Sequence, residues 1–177
     1  MDIATHLAAT LKNLRQTRGW SLSQAADVTG VSKAMLGQIE RNESSPTVAT
    51  LWKIATGFNV PFSAFIAPPA AAQPVYDPQA QAMVVTPLFP WDAQLRMDWL
   101  DITLAPGAQS ESTPHEAGVT EHVLVIDGEL ELQTAGTWRT LAAGEGLRFA
   151  GDAPHAYRNA GHQPARFHSL IHYPPPK

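Results

Sequence analysis

The chain has no cysteine, and that absence excludes disulfides, thiolate-ligated metal sites and thiol redox sensing together. It fits a reducing cytoplasm, the expected location. The N-terminus, Met1-Asp2-Ile3-Ala4-Thr5-His6, has neither the basic start nor the apolar run of a secretory signal. No apolar stretch approaches the roughly 18 residues expected of a membrane helix, so no membrane partner is expected. There is no internal repeat. Nor is there an excess of positive charge: 12 Lys and Arg stand against 16 Asp and Glu, a formal net charge of −4. Taken over the whole chain, that balance argues against a nucleic-acid partner, because phosphate binding needs cations.

What is present is unevenly distributed. A length of 177 residues with 44% hydrophobic content suits two small globular domains. Residues 1–66 hold six Lys and Arg (12, 15, 18, 33, 41 and 53) against four acids (2, 27, 40 and 43), a net of +2. Residues 67–177 hold the other six against twelve acids, a net of −6, together with six of the seven histidines. The asymmetry predicts two domains with different partners.

Hydrophobic periodicity divides the chain in the same place. Ile3, Leu7, Leu11 and Leu14 recur at steps of four and three, one face of a helix that ends at Gly19. Ser21 is placed to cap a short helix from Leu22 to Thr29, and Ser32 to cap another through Glu40, with Gly30-Val31 as the turn between. Thr47 to Phe58 reads as a fourth helix, and Pro61 starts a short fifth one. Residues 67–74, with three prolines in eight and no charge, read as a semi-rigid linker. From 75 to 177 the pattern becomes short strands, 96–104, 121–126, 129–134 and 137–141, separated by turn signals such as Pro106-Gly107 and Asp127-Gly128. Such spacing predicts a sandwich or barrel. The fold class is therefore α + β in two domains, 1–66 and 75–177.

Two short helices joined by a Gly-Val turn suit a helix-turn-helix, whose second helix enters the major groove of a duplex. Leu36 and Ile39 supply the core side of that helix. Ser32, Lys33, Ala34, Met35 and Gln38 form its outward face, and Arg41 and Asn42 follow it, with donors for base edges and phosphates. The competing reading is a helical packing module on which Lys33 and Gln38 are merely solvated. The run from Ser32-Lys33 through Leu36, Ile39-Glu40-Arg41, Pro46-Thr47 and Thr50-Leu51 to Lys53-Ile54-Ala55 resembles the XRE family of phage-repressor-like DNA-binding domains. The resemblance covers residues 10–66. It implies base reading by Lys33, Ala34 and Gln38, phosphate contacts from Ser21, Arg41 and Asn42, and a structural pair between Arg15 and Glu40. Leu22 departs from the family, which often has a phosphate-anchoring Gln there. Reading by a dimer implies a palindromic double-stranded operator.

The second domain carries Pro106-Gly107, His115, Glu121 and Gly128, then Gly144, Gly151, His155 and Asn159. These segments resemble the paired motifs of the cupin family, small double-stranded β-helix barrels. The two resemblances together identify an XRE-cupin regulator of the kind that governs sulfur utilisation. They imply a divalent metal of the zinc, iron or nickel class on His115, Glu121 and His155. Ala117 stands where a second motif histidine is expected; two His and one carboxylate still permit a site with open positions. The alternative is that these residues are polar lining that hydrogen-bonds a ligand. Strand alternation puts Tyr157 on the face of His155, and His168 and His172 together on the last strand, so all three are candidate effector-pocket residues. His122, next to Glu121, points to the opposite face, and Trp91, Trp99 and Trp138 read as core or interface aromatics. The reading is a homodimeric regulator, not an enzyme, whose small-molecule effector the resemblance places among sulfur-containing metabolites. Its rivals are a metal-dependent dioxygenase or isomerase carrying a DNA head, and a barrel that serves only for dimerisation.

Overall fold

The computed structural model describes residues 3–66, 82–89, 91–92 and 94–175. The chain divides into two compact units, Met1–Ala67 and Pro68–Lys177. The expected linker at 67–74 lies outside the described residues, as does the side chain of Ile3.

The first unit is helical: α1 Ile3–Thr17, α2 Leu22–Thr29, α3 Lys33–Glu40 and α4 Val48–Phe58. Local chemistry sets the helix starts. Ser21 caps α2 through a reciprocal box, in which Gln24 N–H donates to Ser21 Oγ (3.2 Å) and Ser21 N–H to Gln24 Oε1 (2.8 Å). Ser32 Oγ accepts from Met35 N–H and Thr47 Oγ1 from Thr50 N–H, each at 3.2 Å. The expected fifth helix is a single 3-10 turn, Phe62–Phe65, with no side-chain cap. Four residues are too few to close a run of α-type hydrogen bonds. Its two phenylalanines are nevertheless fully buried, as are Leu11, Leu36, Ile39, Ile54 and Phe58, and Phe62 stacks on Trp52 at 4.1 Å. Burial of this size contributes about 2 kcal/mol per large side chain, which is how a 3-10 turn is retained.

The second unit is built from β1 Met83–Pro87, β2 Met97–Leu104, β3 Gln109–Ser112, β4 Thr120–Asp127, β5 Glu129–Thr134, β6 Thr137–Ala142, β7 Gly146–Ala150, β8 His155–Arg158 and β9 Ala165–His172. One antiparallel sheet runs β1-β2-β9-β4-β7 and the other β3-β8-β5-β6. Alternation sends Leu100, Ile102, Leu104, Val123, Val125, Phe167 and Ile171 inward from the larger sheet, and Leu130, Leu132, Leu141 and Tyr157 from the smaller one. The Tyr157 ring stacks on Phe167 at 5.4 Å, joining the two inner faces. Sequence pattern missed β1, β3 and β7. Gln109-Ser110-Glu111-Ser112 is wholly polar, and Gly146 to Ala150 has no fully buried residue, so neither shows a hydrophobic period.

Candidate nucleic-acid interface and metal centre

The turn between α2 and α3 is closed by Gly30 in the left-handed region (φ 66°), whose N–H reaches Ala26 O. Leu36, Gly37 and Ile39 bury one face of α3, which leaves Ser32, Lys33, Ala34 and Gln38 exposed on the other. Met35 is half-buried, with its sulfur 3.9 Å from Ser44 Oγ. Just past the helix, Asn42 takes a left-handed conformation (φ 57°), one that Asn tolerates better than most residues. Ser21 is exposed, but its hydroxyl already caps α2. Arg41 is also exposed, and it forms a two-point pair with Glu43, Nε–Oε1 2.8 Å and Nη2–Oε2 2.7 Å. A phosphate approaching Arg41 therefore competes with a carboxylate. Leu22 is half-buried, and its Cδ1 would lie 3.6 Å from a Cβ on Gly37. An apolar side chain thus packs under α3 at the position where the family often has an anchoring Gln.

Arg15 binds Glu40 through Nε–Oε1 (2.6 Å) and Nη2–Oε2 (2.8 Å), and its Nη1 donates to Trp20 O (2.9 Å). Both side chains are largely shielded, at 16% and 8% exposure. The pair ties α1 to the last turn of α3 and so fixes how the reading helix is presented. Arg15→Ala leaves the Glu40 carboxylate shielded without its cation. We expect it to destabilise the helical unit by about 2–3 kcal/mol in urea unfolding; a change below about 0.5 kcal/mol contradicts the structural role.

In the second unit three donors converge. His115 Nε2 and His155 Nε2 lie 3.0 and 3.3 Å from Glu121 Oε1, and one donor atom from each of the three residues lies within 4.8 Å of the others. Glu121 is 2% exposed and His155 4%. His155 Nδ1 is 2.9 Å from the Ala153 carbonyl. Bonding a carbonyl requires a proton on Nδ1, so Nε2 is the nitrogen left to face the carboxylate. Tyr157 Oη donates to Glu121 Oε2 at 2.8 Å and thereby turns Oε1 towards the two imidazoles. Glu121 Oε1 itself receives no well-directed hydrogen bond although it is buried. Two imidazole nitrogens around such an oxygen form a cradle for a cation. Gly151 makes room for it, because a Cβ there would stand 2.9 Å from Oε1.

The electrostatics agree with the geometry. Burial raises the Glu121 pKa, but the adjacent His115 and His155 imidazoles reverse this and hold it well below the ordinary carboxylate range. Burial lowers the His155 pKa, but the Glu121 carboxylate and the Ala153 carbonyl overcome that, and it ends above the usual value. Burial, then the Glu121 charge, push the Tyr157 phenol well up, so it stays a donor.

His168 and His172 do not join this group. They share a face, as alternation requires, but it is the outer one: Phe167, Ser169 and Ile171 point inward, His168 is half-buried and His172 exposed. Their expected place in an effector pocket is corrected accordingly. His122 is exposed on the same outer face, and Ala117 is exposed in the loop before β4. Phe149 and Tyr173 were missed: their rings lie 5.1 Å from His155 and 6.2 Å from His115, and Trp91 packs edge-on against Tyr173 at 5.5 Å. Phe149 is opposite Glu121 in the β4–β7 register, a neighbour that becomes legible only once β7 is recognised.

A capped helix pair with an exposed second helix, joined in one chain to a double sheet with a His-Glu-His centre, defines a class: a DNA-binding regulator with a cupin domain. A helix-turn-helix family model matches residues 11–65 and a cupin model residues 100–171. The chain is 68% identical over 174 residues, 98% of each protein, to the HTH-type transcriptional regulator SutR of Escherichia coli strain K12. Its fold matches an HTH_3 family transcriptional regulator from Vibrio cholerae with a TM-score of 0.85 and 42% identity, over 97% of both chains. The cupin domain of an XRE family regulator from Enterobacter cloacae, 68% identical, matches 53% of this chain and 99% of its own, with a TM-score of 0.53. The chain belongs to the XRE-type HTH transcriptional regulators that carry a cupin domain. Among the described residues, no helix is long and apolar enough to cross a membrane.

Proposed function

We propose that this regulator is a one-component sensor: α3 reads an operator in the major groove, and the barrel binds a small effector at a divalent metal held by His115, Glu121 and His155. The observation that carries the sensing half is the buried Glu121 Oε1, bare of directed hydrogen bonds and faced by two imidazole nitrogens. The donor set suits zinc, iron or nickel, and such a metal supplies a Lewis-acid position that an anionic or sulfur-bearing ligand can complete. The resemblance to regulators of sulfur utilisation supports a sulfur-containing metabolite as the effector. Control requires the effector to favour one of the DNA-competent and incompetent arrangements; a coupling of about 1–3 kcal/mol changes operator affinity roughly 5- to 150-fold.

Metal analysis of protein purified without chelator, followed by thermal-shift measurements with sulfur amino acids with and without the metal, tests this reading. It expects about one metal per chain and a metal-dependent upward shift. Absence of metal together with no shift from any compound sinks it.

On the DNA side, we assign Lys33, Ala34 and Gln38 to base edges, with Ser32 and Met35 beside them on the reading helix, and Ser21, Arg41 and Asn42 to phosphates. Arg41→Ala should weaken binding to all sequences alike and reduce the slope of log affinity against log salt by about 1. Glu43→Gln, which frees Arg41 from its competing carboxylate, should strengthen binding without altering sequence preference. Opposite or sequence-dependent effects in salt titrations contradict the assignment of Arg41 to phosphate.

A further inference from the structure

An antiparallel sheet with one face in a core normally turns polar side chains outward. The smaller sheet does so, with Glu131, Gln133, Thr140 and Arg158 on its outer face. The larger sheet does so only in part: Asp101, Arg166, His122, His168, His172 and Arg148 face outward, but large apolar side chains stand among them. Trp99 on β2 stands opposite Leu170 on β9, both facing outward, and the Phe89 ring, itself 56% exposed, rests on Trp99 at 5.3 Å. Leu124 on β4, diagonal to Leu170, is 45% exposed, and Ile126 beyond it 37%. These side chains form one stripe across three neighbouring strands. Polar groups border it: His122 stands opposite Leu170 and His168 opposite Leu124, while Asp101 and Arg166 are locked to each other in a two-point pair at 2.7–3.1 Å.

We propose that the outer face of this five-stranded sheet is the interface through which a second copy of the chain forms a two-fold dimer. Area and charge both favour that occupant. Three central strands of eight residues flanked by the five-residue β1 and β7 give a face on the order of 550 Å² in projection. That is about two-thirds of the ~800 Å² each partner contributes to a standard interface. A two-fold contact apposes identical patches, so a self-neutralised Asp101–Arg166 pair at its margin meets no unpaired like charge in its twin. The inference rests on the operator-reading proposal for the expectation of paired heads, since a palindromic site is read by two of them. The surface argument itself is independent of DNA.

Leu124→Glu in the full-length chain is the test, with Thr140→Glu on the outer face of the smaller sheet as control. Sedimentation velocity should show wild type and Thr140→Glu as dimers at micromolar concentration. Leu124→Glu should associate about 30-fold or more weakly, the size expected for loss of a central anchor. Its far-ultraviolet circular dichroism should be unchanged, because Leu124 is outside the core. A Leu124→Glu variant as dimeric as wild type overturns the proposal, as does a monomeric wild type or a control that dissociates equally. Should Leu124→Glu misfold, Ile126→Glu takes its place with the same expectations. DNA binding measured alongside separates the two ideas: a dimer that dissociates as expected but binds no duplex leaves the interface standing and removes the operator reading.

Discussion

Glu121→Ala is expected to abolish stoichiometric metal retention, weakening divalent-metal affinity well beyond the 10- to 100-fold typical when only a supporting partner of a ligand is lost. Glu121 supplies the carboxylate that the centre converges on: its Oε1 faces His115 and His155, and its Oε2 holds Tyr157. Removing it takes away the anionic donor and the partner that both imidazoles and the phenol share. Tyr157→Phe should have a smaller effect, about 10-fold, because it frees the carboxylate to rotate without removing a ligand. The sign of the pH dependence follows from the same contacts. The His155 pKa is raised, so a proton competes with metal for Nε2, and affinity should fall as pH falls through that value. Competition against a chromophoric chelator measures all three. Equal affinity in Glu121→Ala and wild type would place any metal elsewhere.

Gly57→Ala should destabilise the helical unit by about 3 kcal/mol, although alanine is the better helix former by up to about 1 kcal/mol. A Cβ on Gly57 would stand 2.7 Å from Thr29 Cα and 2.9 Å from Val28 O, both backbone atoms of α2. No side-chain rotation relieves such a contact, so α2 must move off α4. Thr29 cannot yield alone. It is buried, its Oγ1 donates to Ala25 O at 2.7 Å, and the same oxygen accepts from Val31 N–H at 3.3 Å in the turn that leads to α3. The displacement therefore reaches the reading helix, and duplex affinity should drop together with stability. Denaturant unfolding followed through tryptophan fluorescence provides the stability change; a variant as stable as wild type shows that α2 and α4 have slack the close approach does not suggest.

How much of this was legible in the sequence depended on how local the determining chemistry was. The starts of α2 and α3 could be read to the residue, and that of α4 to within one, because Ser21, Ser32 and Thr47 each satisfy an orphan N–H three positions on. The Arg15–Glu40 pair, 25 residues apart, came from family resemblance and has no local signature. The metal triad came from motif spacing, but its support did not: the bond from Tyr157 to Glu121 and the clearance at Gly151 depend on how two sheets face each other. The error at His168 and His172 has a definite cause. Alternation fixes that they share a face, but choosing the face needs the apolar side to be distinguishable from the polar one. On β9, Ala165, Phe167 and Ile171 face inward with Ser169, while Arg166, His168 and His172 face outward with Leu170, so the parity was present in the pattern once the whole strand, and not the two histidines alone, is considered. Leu170 is the exception, and it belongs to the outer apolar stripe.

The central claim is that the exposed face of α3 reads a two-fold operator. Selection of duplexes from a randomised pool by the full-length chain, repeated with Gln38→Ala, tests it most directly. The account expects wild type to enrich a palindrome with half-sites about 10 base pairs apart, centre to centre, or a multiple of that. Gln38→Ala should keep that symmetry and spacing but lose preference at one base pair of each half-site, a discrimination of about 1–3 kcal/mol. Enrichment of no common sequence, or identical base preferences in the two selections, would contradict it.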